Sequence, residues 1–306
     1  MTHMENYYVN LNQRELLVVS GEDSERFLQG QLTCDLAALS EHDSCPGCLC
    51  DNKGRVIASF TLWKLAVTFY LEMEKGAAAF AEQHLKKYSV FYKSDIVIKP
   101  ELFTRFGLIG ASSKKYLSQH FTAIPTALNQ VEASSADNAY LRLADPDNQR
   151  YELWQLNASG TSDDFSADAN LSEGKMEDWK LLDQAQGLYR LQAEDTGLYT
   201  PQELNYDQLG HVSFTKGCYT GQEIVARMHY RGKAKKRLYL LQLNSRSAPE
   251  KHMKINTLDN KAVGEIIDVA NLGDNHFQIQ VIANESIQKD LCIENLDKSE
   301  LKLISI

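Results

Sequence analysis

The sequence has no uninterrupted apolar run of about 18 residues, so it predicts no membrane-spanning helix. Residues 1–9 are polar and lack the basic and then apolar pattern of a secretion signal. We therefore expect a cytoplasmic protein that does not contact a membrane. The six cysteines agree with a reducing compartment, and their even number does not indicate disulfides in a chain of 306 residues.

Common signatures of nucleotide and metal chemistry are also missing. The sequence contains no Walker loop, no GxGxxG fingerprint and no HExxH motif. Segment 45–50 carries three cysteines and resembles half of a metal site, but no second CxxC pair supplies the remaining ligands. We expect structural thiols there and predict no metal. A net charge of -9 also argues against general nucleic-acid binding.

The chain is long enough for two or three packed units. Strand-like and helical segments occur in two successive units through residue 230, about 1–100 and 101–230. In the first unit we expect a helix that begins near Ser24 and runs to Leu36.

The C-terminal part has a different pattern. Segments 238–243, 262–269 and 276–282 alternate at strand spacing, and a hairpin turn separates the last two. Residues 231–306 are therefore predicted to form a small β-barrel.

The most informative stretch is a glycine-flanked loop, Lys216-Gly217-Cys218-Tyr219-Thr220-Gly221-Gln222-Glu223. A helix is predicted to follow, so Cys218 lies just before a helix N-terminus and two residues from Lys216. The helix dipole and the cation both favour a thiolate, which is a nucleophile. The alternative is a buried cysteine that only fills space.

Four blocks occur in the order typical of the YgfZ family, and together they span nearly the whole chain. They are GEDSERFLQGQLT at 21–33, CDNKGR at 50–55, PQELN at 201–205, and the loop 216–223 with its continuation IVAR and a later RG at 231–232. On these blocks the chain resembles members of that family.

The family is related to the T-protein of glycine cleavage, a folate-dependent aminomethyltransferase. The resemblance implies an α+β fold, with two interleaved α+β units and a C-terminal barrel around a central folate-binding channel. From the loop and helix around it, we expect Cys218 to face this channel. It implies that tetrahydrofolate or a derivative is bound. It also implies support for iron–sulfur enzymes such as a tRNA methylthiotransferase, and through them for tRNA modification.

Two departures from these relatives bear on function. Where T-proteins carry acidic residues after the turn at Gly54, this chain has Ala58 and Ser59, and neither can act as a carboxylate base. Arg14 stands where relatives can have a folate-binding tryptophan, although a guanidinium can stack on a pterin or pair with a carboxylate. A second such tryptophan is matched by Trp179, for which the alternative is core packing.

A basic stretch follows the loop and contains no acidic residue. Its cations are Arg227, Arg231, Lys233, Lys235, Lys236 and Arg237. They suit the polyglutamate tail of a folate or the phosphates of RNA, and the alternative is a solvated linker.

We therefore predict a folate-binding accessory protein for iron–sulfur enzymes and tRNA methylthiolation. Its reactive centre would be Cys218 with Lys216, and its folate site is predicted to contain Trp179, Arg14, Arg227 and Arg231. One alternative is a folate-dependent aminomethyl or one-carbon transferase, against which the missing carboxylates argue. Another is an RNA-binding module that uses the basic stretch.

Overall fold

The structure, a computed structural model, describes residues 7–134, 138–157, 171–232, 234–284, 287, 291–294, 296 and 300–304. These residues form three β-sheets and five α-helices. None of the described helices is both long and apolar enough to cross a membrane.

The first sheet is made of consecutive strands that follow β1 (Tyr7–Asn10), which itself belongs to the second sheet. The strands of the first sheet are β2 (Glu15–Ser20), β3 (Ser44–Cys50), β4 (Val56–Leu65), β5 (Thr68–Met73) and β6 (Asp95–Ile98). Their order is β3-β4-β5-β2-β6. Helices α1 (Ser24–Gln29) and α2 (Ala77–Lys86) share one apolar core with this sheet.

Helix α1 is shorter than the sequence predicts. It ends at Gln29, and the chain turns toward β3 instead of remaining helical to Leu36. Thr33 N donates to the carbonyl of Cys48 at 3.0 Å, and Cys48 N donates to Thr33 Oγ1 at 2.9 Å. The first bond uses the Thr33 N–H that a longer helix would need, so tertiary pairing prevails over local helix propensity.

The second sheet has six strands, and one of them, β1, comes from an early segment of the chain. Besides β1, its strands are β7 (Phe103–Ile109), β8 (Val131–Ala133), β9 (Ala139–Asp145), β10 (Arg150–Leu156) and β11 (Ser172–Glu173). The order is β11-β1-β7-β10-β9-β8. Because β1 precedes the first sheet in sequence but belongs to the second sheet, the two units are interleaved. Helices α3 (Ala111–His120) and α4 (Met176–Ala185) accompany this sheet.

The third sheet follows α5 (Gln222–Tyr230) and is curled into a half-barrel. Its strands are β12 (Arg237–Asn244), β13 (Lys254–Thr257), β14 (Ala262–Gly273), β15 (His276–Ala283), β16 (Leu291–Ile293) and β17 (Glu300–Ile304). The order is β16-β13-β14-β15-β12-β17. The predicted α+β class with a curled C-terminal sheet is confirmed.

Aromatic and polar contacts join the first two sheets. Trp63 of β4 stacks on Trp154 of β10 with ring centroids 3.9 Å apart and an interplanar angle of 5°. Trp154 Nε1 donates to Glu72 Oε2 of β5 at 3.0 Å. These contacts fix β4, β5 and β10 relative to one another beside a cavity.

Candidate functional site

A cavity of about 260 Å³ opens where the first two sheets meet the segment after α4. Strands β3, β4, β9 and β10 contribute to its walls. The lining residues are Pro46, Ser59, Phe60, Thr61, Leu128, Asn129, Arg142, Ala144, Arg150, Gln186, Leu188, Arg190, Leu209 and His211. Because distant parts of the chain form it, the cavity exists only in the folded protein.

Three guanidinium groups reach this cavity, and each is paired with a carboxylate outside its lining. Arg142 Nη1 donates to Glu152 Oε2 at 2.6 Å. Arg190 Nε donates to Asp183 Oδ2 at 2.9 Å, and Arg150 Nη2 lies 2.8 Å from Asp183 Oδ1. The cavity wall therefore presents cations held in place from behind.

Glu152 is fully buried at the centre of this network. Burial alone would raise the pKa of its carboxyl, but Arg142, Arg14 and Arg190 outweigh burial and hold that pKa well below its usual value. For Asp183 burial is again outweighed, chiefly by Arg190, and the pKa is lowered. Both carboxylates are therefore ionised at neutral pH.

Arg14 belongs to this network and not to a ligand surface. Its side chain has no exposed area, and Nη1 donates to Glu72 Oε1 at 2.8 Å and to Glu152 Oε1 at 2.9 Å. An enclosed guanidinium offers no free face to a pterin, so the prediction that Arg14 contacts the ligand is wrong. Its role is to join the first and second sheets.

Trp179 is also fully buried. A Cβ added at Gly107 would come within 2.2 Å of its Cζ3, and the guanidinium carbon of Arg150 lies 4.7 Å from its ring centroid. The ring shares an apolar cluster with Tyr7 and Val9. The prediction that Trp179 lines the channel is therefore wrong, and the alternative, core packing, describes it. It acts on the cavity only through Arg150.

Of the two positions at which the resemblance to T-proteins implies a carboxylate, only Ser59 lies at the cavity. Ala58 is buried in the core of the first sheet, whereas Ser59 lines the cavity and its Oγ accepts a hydrogen bond from Leu191 N at 3.0 Å. No aspartate or glutamate occurs among the lining residues that the structure describes. This wall offers a hydroxyl but no carboxylate base.

His211 supplies a neutral polar group to the same wall. Its ring stacks on Tyr206 with centroids 4.3 Å apart. Burial lowers the pKa of His211 to about 3, so the imidazole is uncharged at neutral pH. A neutral imidazole has one donor and one acceptor nitrogen.

The glycine-flanked loop lies outside the cavity. Cys218 is exposed and is not a lining residue of this cavity, and that its thiolate is reactive and faces a folate channel stays a prediction. Lys216 is buried, and its Nζ donates to the carbonyls of Gln29, Leu32 and Cys34 at 2.8, 2.8 and 2.7 Å. With all three N–H groups used, Lys216 fastens the loop to the segment after α1. These contacts give it a structural role, and its predicted part in the reactive centre stays a prediction.

The three cysteines of segment 45–50 lie in strand β3. Cys48 and Cys50 are buried, and their Sγ atoms are 4.0 Å apart. In the part of the chain that the structure describes, no three ligating side chains converge on a possible metal position.

Arg227 and Arg231, the two arginines of the basic stretch that were predicted to bind a folate, also lie outside the cavity lining. Arg227 is exposed on α5, and Arg231 is exposed directly after it. Both side chains therefore lie on the outer surface, and their contact with a folate, for which the polyglutamate tail is suited, stays a prediction. Lys233 falls outside the described residues.

Sequence reasoning missed the cavity arginines, although Arg142 carried a usable signal. It is the only basic residue in the strand sequence AYLRLAD, and a charge inside a buried strand requires a partner. Glu152 shows the same pattern within RYELWQL of the neighbouring strand. That these two strands pair with each other could not be read from either segment alone.

The fold is similar to that of a solved protein. The crystal structure of glycine cleavage system aminomethyltransferase T from Bartonella henselae superposes with a TM-score of 0.81, covering 99% of this chain and 87% of that chain. At 15% sequence identity this similarity shows a shared fold.

Curated relatives are closer in sequence, although no family model matches the chain. The tRNA-modifying protein YgfZ of Colwellia psychrerythraea is 35% identical over 238 residues, which are 78% of this chain and 72% of that protein. The tRNA-modifying protein YgfZ of Hamiltonella defensa is 31% identical over 286 residues, 92% of this chain and 84% of that protein. By this extent of similarity, the chain belongs to the YgfZ family.

Proposed function

We propose that the protein binds a reduced folate, tetrahydrofolate or a derivative, in the cavity and supports tRNA modification. The name shared by the relatives, tRNA-modifying protein, supports the second part. The observation that carries the folate assignment is the cavity lining, which has three guanidinium groups, a neutral imidazole and apolar side chains, with no carboxylate among the described lining residues.

This lining suits the two chemically different ends of a folate. Phe60 and Leu188 offer apolar surface to a flat heteroaromatic ring, while Ser59 and His211 offer hydrogen-bonding atoms to its edge. Arg190, together with the other two guanidinium groups, would hold the glutamate carboxylates in charge-assisted hydrogen bonds.

The same wall argues for binding without aminomethyl transfer. A bound folate would supply one-carbon carrier chemistry, but a transferase also needs a group that moves a proton at the reacting nitrogen. Ser59 has no such capacity at neutral pH. With the other glycine-cleavage components, we expect no turnover by this protein under conditions in which a T-protein turns over.

We propose a second role for the outer surface on which Cys218 lies. Because it is exposed and lies outside the cavity lining, a macromolecule can reach it while a folate occupies the cavity. We propose that the partner is an iron–sulfur enzyme such as a tRNA methylthiotransferase. In cells that lack the native protein, Cys218→Ser should fail to restore methylthiolated tRNA, whereas Cys292→Ser restores it. Full restoration by Cys218→Ser would contradict this assignment.

Calorimetric titration with tetrahydrofolate tests the cavity. Leu128 lines it and is 57% exposed, so Leu128→Trp should block the cavity without disturbing the core. Leu258 is 69% exposed and lies outside the lining, which makes Leu258→Trp the matched control. We expect the first variant to lose binding and the second to keep it. Equal binding by both variants, or none by the wild type, would refute the proposal.

A further inference from the structure

Three aromatic rings form a cluster at the outer end of α5. Phe214 and His229 stack with centroids 3.6 Å apart and an interplanar angle of 14°. Tyr230 stands edge-on to both, at 6.1 Å from Phe214 and 4.8 Å from His229, and its hydroxyl donates to the Phe214 carbonyl at 3.4 Å. Yet Tyr230 is 67% exposed. A large ring held in a fixed orientation and left open to solvent is a surface on which a flat ligand can stack.

Cations surround this cluster. Arg227, Arg231, Lys235 and Lys236 are all exposed. Within the described part of the chain none of the four forms an ion pair. We call these four cations and the three rings the outer face.

Two acidic groups nearby, Asp207 and Glu265, are already engaged. Both carboxylate oxygens of Asp207 accept hydrogen bonds from Arg237, at 2.6 and 3.0 Å. Glu265 accepts a hydrogen bond from Lys254 at 2.5 Å. Glu223, in the first turn of α5, is exposed and is the one acid on that helix. The outer face is therefore cationic on a protein whose net charge is -9.

A cleft reaches from His229 to Lys235, and Asp207, which is paired with Arg237, also lines it. It has a volume of about 210 Å³, and His229, Met228 and Lys235 contribute to its walls. The loop that runs from Phe214 to α5 also carries the exposed Cys218. A ligand bound on the outer face would therefore lie against the segment that holds the family's loop motif.

We propose that the outer face binds single-stranded RNA, with phosphates on the four cations and an unpaired base on Tyr230. Single-stranded RNA combines closely spaced negative charges with bases whose faces are free to stack, and the outer face offers the complement of each. An acidic protein would use the cations but would gain nothing from the exposed ring. The inference rests on the proposed role in tRNA modification, and it assigns direct contact with RNA to this chain.

The test measures fluorescence anisotropy of a labelled, unstructured RNA of about twelve nucleotides at several salt concentrations. The first variant replaces Arg227, Arg231, Lys235 and Lys236 with Gln. Its matched control replaces four exposed lysines elsewhere, Lys86, Lys87, Lys114 and Lys115, with Gln, so that the net charge changes equally. The second pair is Tyr230→Ala and Tyr230→Phe, of which only Phe keeps a stacking face.

We expect wild-type affinity to fall steeply as salt rises. The four-cation variant should reduce the slope of log K against log salt by about 3, because each single-strand phosphate contact contributes about 0.7. Tyr230→Ala should weaken binding about fivefold or more, while Tyr230→Phe and the lysine control stay near wild type.

Several results would overturn the inference. The wild type could fail to bind the RNA at about 50 mM salt, or the two charge variants could weaken binding equally. A blunt RNA duplex could also bind as tightly as the single strand, with Tyr230→Ala having no effect. Polyglutamate that binds as tightly as the RNA would point to an acidic protein partner and would also overturn it. The same samples are titrated with tetrahydrofolate: failure of folate binding alone contradicts the proposed function, while loss of RNA binding alone contradicts the outer face.

Discussion

The cavity and the outer face both depend on arginine, but they use its charge in opposite ways. Arg142 and Arg190 are drawn into a buried network in which every guanidinium has a carboxylate partner. Arg227 and Arg231 stand in water, and no ion pair of theirs occurs among the described residues. A buried cation must be compensated by the protein itself, whereas an exposed one remains available to a partner. The buried charges therefore stabilise the fold, whereas the exposed charges of the outer face do not contribute to it.

Removing the central carboxylate should break this contrast most severely. Glu152→Gln would leave Arg14, Arg142 and Arg190 without the negative charge that they share in the interior, and its amide NH2 would lie against these cations. We expect a loss of about 3–5 kcal/mol in the free energy of unfolding, measured with urea.

The control for that change is Glu22→Gln, because the ion pair between Glu22 and Lys93 is exposed. Its cost should stay below about 1 kcal/mol. If Glu152→Gln cost no more than this control, the buried network would not hold the sheets together.

The second-largest effect is expected when the pH falls, because His211 of the cavity wall is held neutral. His211 has a folded pKa of about 3 against an ordinary value of about 6.5, so between these values the unfolded chain binds a proton that the folded chain does not. Its stabilising contribution is complete above pH ~6.5 and is lost as the pH falls. From pH 7 to pH 5 we expect this group to lower the free energy of unfolding by about 2 kcal/mol.

The measurement compares urea unfolding at the two pH values. His211→Asn should remove that part of the pH dependence, while His42→Asn, at an exposed position, should keep it. An unchanged dependence in His211→Asn would show that the ring is not held neutral in the cavity wall.

The smallest effect on stability is expected at the outer face. Arg231→Gln should change the free energy of unfolding by less than about 0.5 kcal/mol, because its side chain is exposed and unpaired within the described chain. A loss above about 1 kcal/mol would mean that this arginine supports the fold, and the contrast between the two regions would fail.

The contrast also explains what the sequence could predict. Motif blocks and local periodicity correctly indicated the α+β class and a C-terminal part made of strands, which forms a half-barrel. They failed where the answer depended on contacts between distant segments. Arg14 and Glu152, for example, are 138 residues apart in sequence, and only their pairing reveals that Arg14 is buried.

The same dependence on distant contacts limited what the sequence could say about the candidate site. The glycine-flanked loop appeared to contain a cation next to a thiol, yet Lys216 bonds to carbonyls that lie more than 180 residues away in sequence. The aromatic cluster was equally hidden, because Phe214 and His229 stack only after the loop folds back on α5. Residue type was visible in the sequence, whereas burial and partner were not.

Hydrogen exchange with and without tetrahydrofolate tests the central claim most directly. The account predicts that the folate slows exchange in the segments that line the cavity, 59–61, 128–129, 142–144, 186–190 and 209–211, and leaves α5 unchanged. Protection confined to α5 and the loop before it, with no change around the cavity, would contradict the assignment of the cavity as the folate site.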